Sequence, residues 1–477
     1  MQDMLDKIHE ECGVFGIYDN DDMGVVESAY MALYALQHRG QESCGIAVND
    51  DGVISSYRDL GLVSDVFKQE TLERLGNGKM ALGHCLYGTA ESNKRENAQP
   101  MPFRHVKGQM AIANNGSILN ALDLREKLEM QGAIFHSTSD AELIAHMITR
   151  ERLTSKSIED ICNAMDKLYG VYSLLVMSPR KLIGVRDPLG LRPLSIGKYK
   201  DSYVLASETS AIDSVGAHFL RDVKPGEIVI IDENGLRSIE KHCGQKSHLC
   251  VFEFVYNARP DSVIEGTSVH LARQKMGEFL AKDHPVEADL VMGVPDSGND
   301  AALGYANASG IPYGTGLLKN KYIGRTFILN TQKQRENAVR IKLNAIADAV
   351  RGKRIVLVDD SIVRGTTSMR IVKMLREAGA REVHMRIASP PFRYPCYFGT
   401  DIDSPERLIA NNMTIEEIGH KIGVDTLGFL SLEDIVNVAE KSDCEFCTGC
   451  FSGVYPLNVE NAGKVSKFDR KFSENID

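Results

Sequence analysis

The chain has 477 residues, 43% hydrophobic and 25% charged, with a formal net charge of -10. This composition suits a globular protein of two ordinary domains, and the acidic balance excludes a general nucleic-acid binder, whose affinity rests on neutralising phosphates. No apolar run is long enough to span a bilayer, so no membrane partner is expected.

The first eleven residues carry Asp3, Asp6, Glu10 and Glu11 where a secretory signal would have an apolar stretch. The expectation is a cytoplasmic protein, whose ten cysteines serve packing, catalysis or metal ligation rather than a disulfide framework. Next comes Cys12, heading the first apolar run, Cys12–Tyr18. Further short runs follow at Gly45–Val48, Met80–Tyr87, Gln109–Asn114 and Val171–Met177, with helical stretches between them. Ser139-Asp140-Ala141-Glu142 has the spacing of a capping box and predicts a helix from Ala141 to about Arg150. Many strands and few helices predict a sheet-on-sheet core with helices outside.

The second part of the chain reads differently. Ala288–Val294 is an apolar strand ending at Pro295, and Asp300–Ala308 reads as helix. Lys353–Val358 is a buried-type strand, a polar loop follows over Asp359–Thr367, a helix runs to about Ala378, and Glu382–Ala388 is the next strand. This βαβ order implies a parallel sheet. The divisions predicted are a leader of residues 1–11, a first domain over 12–245, a second over 246–440, and a tail over 441–477 holding cysteines.

The loop D-D-S-I-V-R-G-T-T (Asp359–Thr367) opens a helix directly after a strand. Ligands of open α/β sheets sit at the carboxyl ends of strands, and a helix N-terminus offers free N–H groups to a phosphate. Thr366 and Thr367 add hydroxyl donors, whereas Asp359 and Asp360 suit ribose hydroxyls or a Mg²⁺ carried on a pyrophosphate. A ribose 5-phosphate bearing a pyrophosphate at C1 would use both ends. The alternative is an ordinary βα loop with a helix cap. The string resembles the 5-phosphoribosyl 1-pyrophosphate (PRPP) motif of the type I phosphoribosyltransferases. That resemblance assigns Asp359, Asp360, Ser361, Arg364, Gly365, Thr366 and Thr367 to PRPP, and G-V-P-D-S, with Ser297, to the pyrophosphate and metal. Lys319–Phe327 resembles the family's loop that closes over PRPP.

Cys12 needs a base, because the thiolate is the nucleophile. Removing residues 1–11 would leave Cys12 with a free α-amino group, of pKa about 7.7–8.0, as a base within the same residue. The alternative is a buried packing cysteine. Leu36–Glu42, Asn114-Asn115-Gly116, Ser137–Asp140, Asp187–Leu194, Ala206–Thr209 and Pro225–Glu227 together resemble the N-terminal-nucleophile (Ntn) glutaminases. With Tyr256–Ser262 and the PRPP motif, the chain resembles the glutamine phosphoribosylpyrophosphate amidotransferase family over nearly its whole length. The implied fold is a four-layer αββα Ntn domain (α+β) joined to a parallel-sheet α/β phosphoribosyltransferase domain.

By resemblance, Cys12 attacks the glutamine amide, Asn115 and the Gly116 N–H stabilise the oxyanion, Asp140 holds the α-amino group, and Arg39 shapes the pocket. Standing alone, Asn115-Gly116 would read as a turn and Asp140 as part of a cap. One departure is clear. The family pattern G-H-x-R-Y-x-T-A carries an arginine for the glutamine α-carboxylate, and here Leu86 stands in its place, with His84 or a nearby lysine or arginine as substitute. The rival expectations are a PRPP-sensing regulator with a dead glutaminase and an ammonia-dependent enzyme.

Cys444-x-x-Cys447-x-x-Cys450 signals a metal or cluster, and its spacing suits Zn(Cys)₄ and [4Fe–4S] equally. The resemblance implies a [4Fe–4S] cluster on Cys250, Cys396, Cys447 and Cys450, with Cys444 spare and Cys44, Cys85, Cys162 and Cys243 as packing residues. It also implies a homotetramer and inhibition by purine nucleotides, with Arg325 and Lys342 as contacts.

Overall fold

The structure is a computed structural model that describes residues 12–87, 94–154, 159–320, 343–400, 402, 404–439, 442 and 444–460. The leader 1–11, Arg325, Lys342, all of Lys319–Phe327 beyond Asn320, and the end of the tail lie outside these residues.

Two antiparallel sheets stack in the first unit. One has seven strands, with Gly13–Tyr18 at its centre between Met80–Leu86 and Ser202–Ala206; the other has six, with Gly108–Ile118 and Gly170–Met177 adjacent. Side chains alternate across a strand, and here both faces are buried. Val14 enters the core between the sheets with Leu82, Ala113 and Leu175. Its neighbours Phe15 and Ile17 pack on the outer side, beneath helix Val25–Ala35. Helix Asp140–Glu151 covers the second sheet in the same way. The layers are therefore helix, sheet, sheet, helix, as expected.

The second unit has a four-stranded parallel sheet in the order Leu290–Gly293, Arg354–Asp359, Glu382–Ile387, Thr426–Phe429. Val356 and Val358 face helices Val269–Asp283 and Asn299–Ser309. Ile355 and Leu357 face helices Thr366–Glu377 and Ile415–Ile422. Burial on both faces explains the unbroken apolar run of the central strand.

One local expectation is corrected. Ser139 does cap its helix, accepting the Ala141 N–H at 3.2 Å. Glu142, however, does not reach back to Ser139. Its carboxylate accepts the N–H groups of His136 and Ser137 at 2.9 and 2.7 Å and so fastens the preceding loop. Among the described residues the reciprocal capping box is Thr414 with Glu417. Asn115-Gly116, which standing alone would read as a turn, lies inside strand Gly108–Ile118, opposite Ser173 and Tyr172.

Two features tie the units together. Strand His248–Cys250 pairs in parallel with Glu445–Cys447 from the tail, placing Cys250 opposite Cys447. Arg39 of the first unit is wholly buried against Glu208 and Glu253.

Candidate active sites and their junction

Cys12 is half-buried at the head of the central strand, its Sγ 3.8 Å from the Tyr87 carbonyl. Burial pushes its thiol up to about 11, against the lowering effect of the Tyr87 contact and the Arg39 charge. At neutral pH such a thiol is almost entirely protonated. Among the described residues no histidine or carboxylate bonds to it. The sulfur therefore lacks a side-chain base.

Asn115 is 1% exposed and its Nδ2 has no hydrogen-bond partner among the described residues. A buried, open donor on the strand packed across from Cys12's sheet is what an oxyanion requires. Gly116 has φ +138°, and a Cβ there would stand 2.1 Å from the Val171 carbonyl oxygen, so the position admits glycine alone. Asp140 opens its helix and accepts the Ile118 N–H at 2.8 Å. Burial raises its carboxyl to about 6, against the Ile118 bond and the Arg125 charge.

The arginine's absence is real in three dimensions. Leu86 is buried at the end of its strand. His84 supplies no charge in its stead: it is fully buried, burial lowers its pKa to about 4, and its Nε2 lies 3.0 Å from the Asn114 carbonyl. The expectation that His84 replaces the arginine is thus corrected, since a neutral imidazole carries no charge to a carboxylate.

Arg39 does not present a free guanidinium. Its Nε donates to Glu208 and its Nη1 and Nη2 to Glu253. Burial opposes its charge, but the two carboxylates outweigh that and hold its pKa above the ordinary value. Glu208 is the hub. It also takes the Arg259 N–H at 3.0 Å and the Ser262 hydroxyl at 2.7 Å, and His38 Nε2 lies 2.6 Å away. Burial works against the Glu208 charge, yet Arg39 and His38 hold its pKa well below the usual range. Arg192 Nη1 stands 3.9 Å from Glu253, and its Nη2 donates to the Phe398 carbonyl. The motifs include Glu208 and Arg192 without a role and miss Glu253. Glu208 and Glu253 lie 169 and 214 residues from Arg39, distances no local spacing reveals.

At the second site, Leu290–Gly293 and Arg354–Asp359 run parallel with Gly293 opposite Val358, so their following loops emerge side by side. Asp359 and Asp360 are both 2% exposed, and the Asp360 N–H donates to Asp359 Oδ1 at 3.0 Å. Ser297 and Ser361 both donate to the Asp360 carboxylate, bringing the two expected loops together. Lys319 pairs with Asp296 at the same edge. Gly365, with φ +80°, turns the chain into helix Thr366–Glu377, so Arg364 precedes the turn and Thr366 and Thr367 form the first helical residues. The helix N-terminus and both carboxylates thus open at the carboxyl end of the sheet.

Between the sites lies a single π-type turn, Glu253–Asn257. Arg273 clamps it from the second unit, donating to the carbonyls of Phe254, Tyr256 and Ala258. Burial lowers the Arg273 pKa, while Asp300 and Asp360 act in the opposite sense, which places this guanidinium within the field of the phosphate loop.

Cys396 and Cys447 lie within electrostatic reach of each other and of both Cys250 and Cys450. Burial pushes the Cys447 thiol up to about 12 and those of Cys250 and Cys450 well above the ordinary value. Cys444 stands apart, its Sγ taking the Ser442 hydroxyl at 2.6 Å with Glu265 and Arg186 as charged neighbours. Among the described residues no three His, Cys, Asp or Glu side chains converge tightly enough to hold a single metal ion.

An Ntn-type fold with a buried, unpartnered amide donor, joined to a parallel sheet whose strand Arg354–Asp359 leads through an acidic loop into a helix N-terminus, defines the class: a glutamine amidotransferase fused to a phosphoribosyltransferase. Comparison with known proteins agrees. A family profile described as "Glutamine amidotransferase domain" matches residues 89–214. The amidophosphoribosyltransferase of Methanocaldococcus jannaschii is 48% identical over 94% of this chain and 98% of its own length. That of Bacillus subtilis is 48% identical over 95% of each. The solved structure of glutamine PRPP amidotransferase from B. subtilis, complexed with ADP and GMP, superposes with a TM-score of 0.88 at 46% identity, covering 94% of this chain and 98% of that one. The chain belongs to the amidophosphoribosyltransferase family.

Proposed function

We propose that this enzyme joins two half-reactions: glutamine is hydrolysed at Cys12, and the ammonia released displaces pyrophosphate from C1 of PRPP to give 5-phosphoribosylamine, the first step of purine synthesis. The observation that carries this reading is the pairing of both constellations in one chain whose junction is a buried ionic network. The near full-length kinship with amidophosphoribosyltransferases favours catalysis over a PRPP sensor.

The chain divides into a leader over 1–11, a glutaminase domain over 12–245, a phosphoribosyltransferase domain over 246–440 and a tail over 441–477. With the leader attached, the Cys12 nitrogen is an amide and has no basicity. Once the leader is cut, the amine takes the thiol proton and later delivers it to the leaving ammonia. Before ammonia leaves, the oxyanion of the tetrahedral intermediate meets Asn115 Nδ2 and the Gly116 N–H, donors worth a few kcal/mol each; water then cleaves the thioester, releasing glutamate and returning the Cys12 thiol. Asp140, as carboxylate, holds the glutamine α-amino group. Arg39 shapes the pocket from behind, through its place between Glu208 and Glu253 rather than by touching glutamine.

In the second half-reaction, Gly365, Thr366 and Thr367 cradle the 5-phosphate, with Ser361 and Arg364 lining the same turn. Asp359 and Asp360 hold the ribose hydroxyls. Ser297, Asp359 and Asp360 are hard oxygen donors of the kind Mg²⁺ takes, and the ion would neutralise the pyrophosphate as it leaves. Purine nucleotides, of the kind bound in the B. subtilis relative, regulate the enzyme at this phosphate site. The family's homotetramer and a cytoplasmic location belong to the same reading; among the described residues no helix is long and apolar enough to cross a membrane.

Cys250, Cys396, Cys447 and Cys450 fit a [4Fe–4S] cluster. A four-iron group would stabilise the thiolates that burial disfavours. Its role is to fasten the tail, since the transfer has no redox step.

The test is anaerobic purification followed by two assays. Intact mass should show Cys12 as the N-terminus, and pyrophosphate should be released from PRPP with glutamine. Full activity in material that retains residues 1–11 would overturn the mechanism at Cys12.

A further inference from the structure

Asn257 ends the π-type turn and is 1% exposed, yet neither its Nδ2 nor its Oδ1 has a hydrogen-bond partner among the described residues. A buried carboxamide open at both atoms carries its desolvation penalty without return, so it calls for a functional account. Its position supplies one. Glu253, four residues earlier, lies on the same face of the turn and is held by Arg39, whose charge acts on Cys12. Two residues later the Arg259 N–H is held by Glu208. From the other side Arg273 grips the carbonyls flanking Asn257, within the field of Asp360. Asn257 thus sits on a turn held on one side by the Arg39–Glu208–Glu253 network and on the other by Arg273.

We propose that Asn257 is a transfer residue for ammonia, an inference that rests on the two-site reaction above. Its Oδ1 accepts an N–H of ammonia and its Nδ2 donates to the lone pair, with no bond made or broken. A carboxamide neither gives nor takes a proton at neutral pH, so ammonia leaves it still nucleophilic. A carboxylate in that place would hold ammonium instead. The charges alongside, Arg39, Glu208 and Glu253, are already matched to one another and do not compete.

The experiment compares full-length wild type with Asn257→Leu and Asn257→Asp, both close to asparagine in size. It measures pyrophosphate released per glutamate formed, and separately pyrophosphate released with ammonium chloride, which bypasses Cys12. In Asn257→Leu, which removes both hydrogen bonds, the pyrophosphate-to-glutamate ratio should fall by at least about three- to tenfold, the worth of one of them, while ammonium-driven release holds at the wild-type rate. Asn257→Asp should show the same loss of ratio. An unchanged ratio in Asn257→Leu overturns the proposal. So does an equal fall of the ammonium-driven reaction in both variants, which would make Asn257 a packing residue. A wild type that releases no pyrophosphate with either nitrogen source would overturn the two-site reading itself, whatever Asn257 does.

Discussion

Glu253→Gln tests the junction. The substitution keeps the side chain's shape and removes one charge from a network in which Arg39, Glu208 and Glu253 are all 0% exposed. Glutamine can accept one N–H from Arg39, but its amide nitrogen then faces the second. The Arg192 guanidinium, 3.9 Å away, also loses a carboxylate. Stripping one partner from a buried pair costs about 3–5 kcal/mol. Glu208 stays bonded to Arg39 Nε, which places the expected cost at the lower end, about 3 kcal/mol. At about 2–4 °C per kcal/mol for a domain of this size, the melting midpoint should fall by about 6–12 °C. Added salt should not restore it, because the site is closed to solvent. The assay is calorimetry on wild type, Glu253→Gln, Arg39→Met and the double variant. The double variant should lose less than the sum of the singles, since each single strands the other's charge. Strict additivity, or a midpoint within about 1 °C of wild type, would refute the network as the fastening between the units.

Three further outcomes are expected. In the proposed mechanism Asp140 holds an ammonium group as a carboxylate, and burial raises its carboxyl to about 6; kcat/KM for glutamine should therefore fall below the pKa of the Cys12 amine and steepen by a further tenfold per unit below about 6, with Asp140→Asn removing the steepening along with most of the activity. Leu86→Arg should lower the KM for glutamine about ten- to hundredfold by adding a charge-assisted bond, measured against an unchanged KM for PRPP. Cys450→Ser should abolish stoichiometric iron and acid-labile sulfide in anaerobically purified protein, whereas Cys444→Ser should retain both.

What the sequence disclosed follows from how local each feature is. Asp359–Thr367 joins strand, loop and helix in one stretch, so its order alone predicted a loop opening a helix at the carboxyl end of a strand, and the structure differs by a residue or so at each end. The layered core was readable because Phe15 and Ile17 alternate with Val14 toward two different partners, each demanding an apolar residue. Glu142 was misassigned because its spacing to Ser139 satisfies the cap pattern, whereas the backbone N–H groups of His136 and Ser137 compete for the same carboxylate. Asn115-Gly116 carries turn chemistry, but pairing with Ser173 and Tyr172 prevails over it. The neutral state of His84 follows from complete burial, which no motif states. The Arg39 network and the open amide of Asn257 depend on residues far apart in the chain, and only the assembled fold brings them together.

The pairing of His248–Cys250 with Glu445–Cys447 has a consequence for biogenesis. The stretch His248–Cys250 finds its neighbouring strand only once the chain has been made as far as Cys447. Until then Phe254 lacks the ring of Phe446, 6.0 Å away in the finished molecule. Translation therefore completes the strands of both sheets of the first unit well before this pairing can form. A product clipped before Glu445 would leave the edge of His248–Cys250 unpaired, and a protease should cut there first.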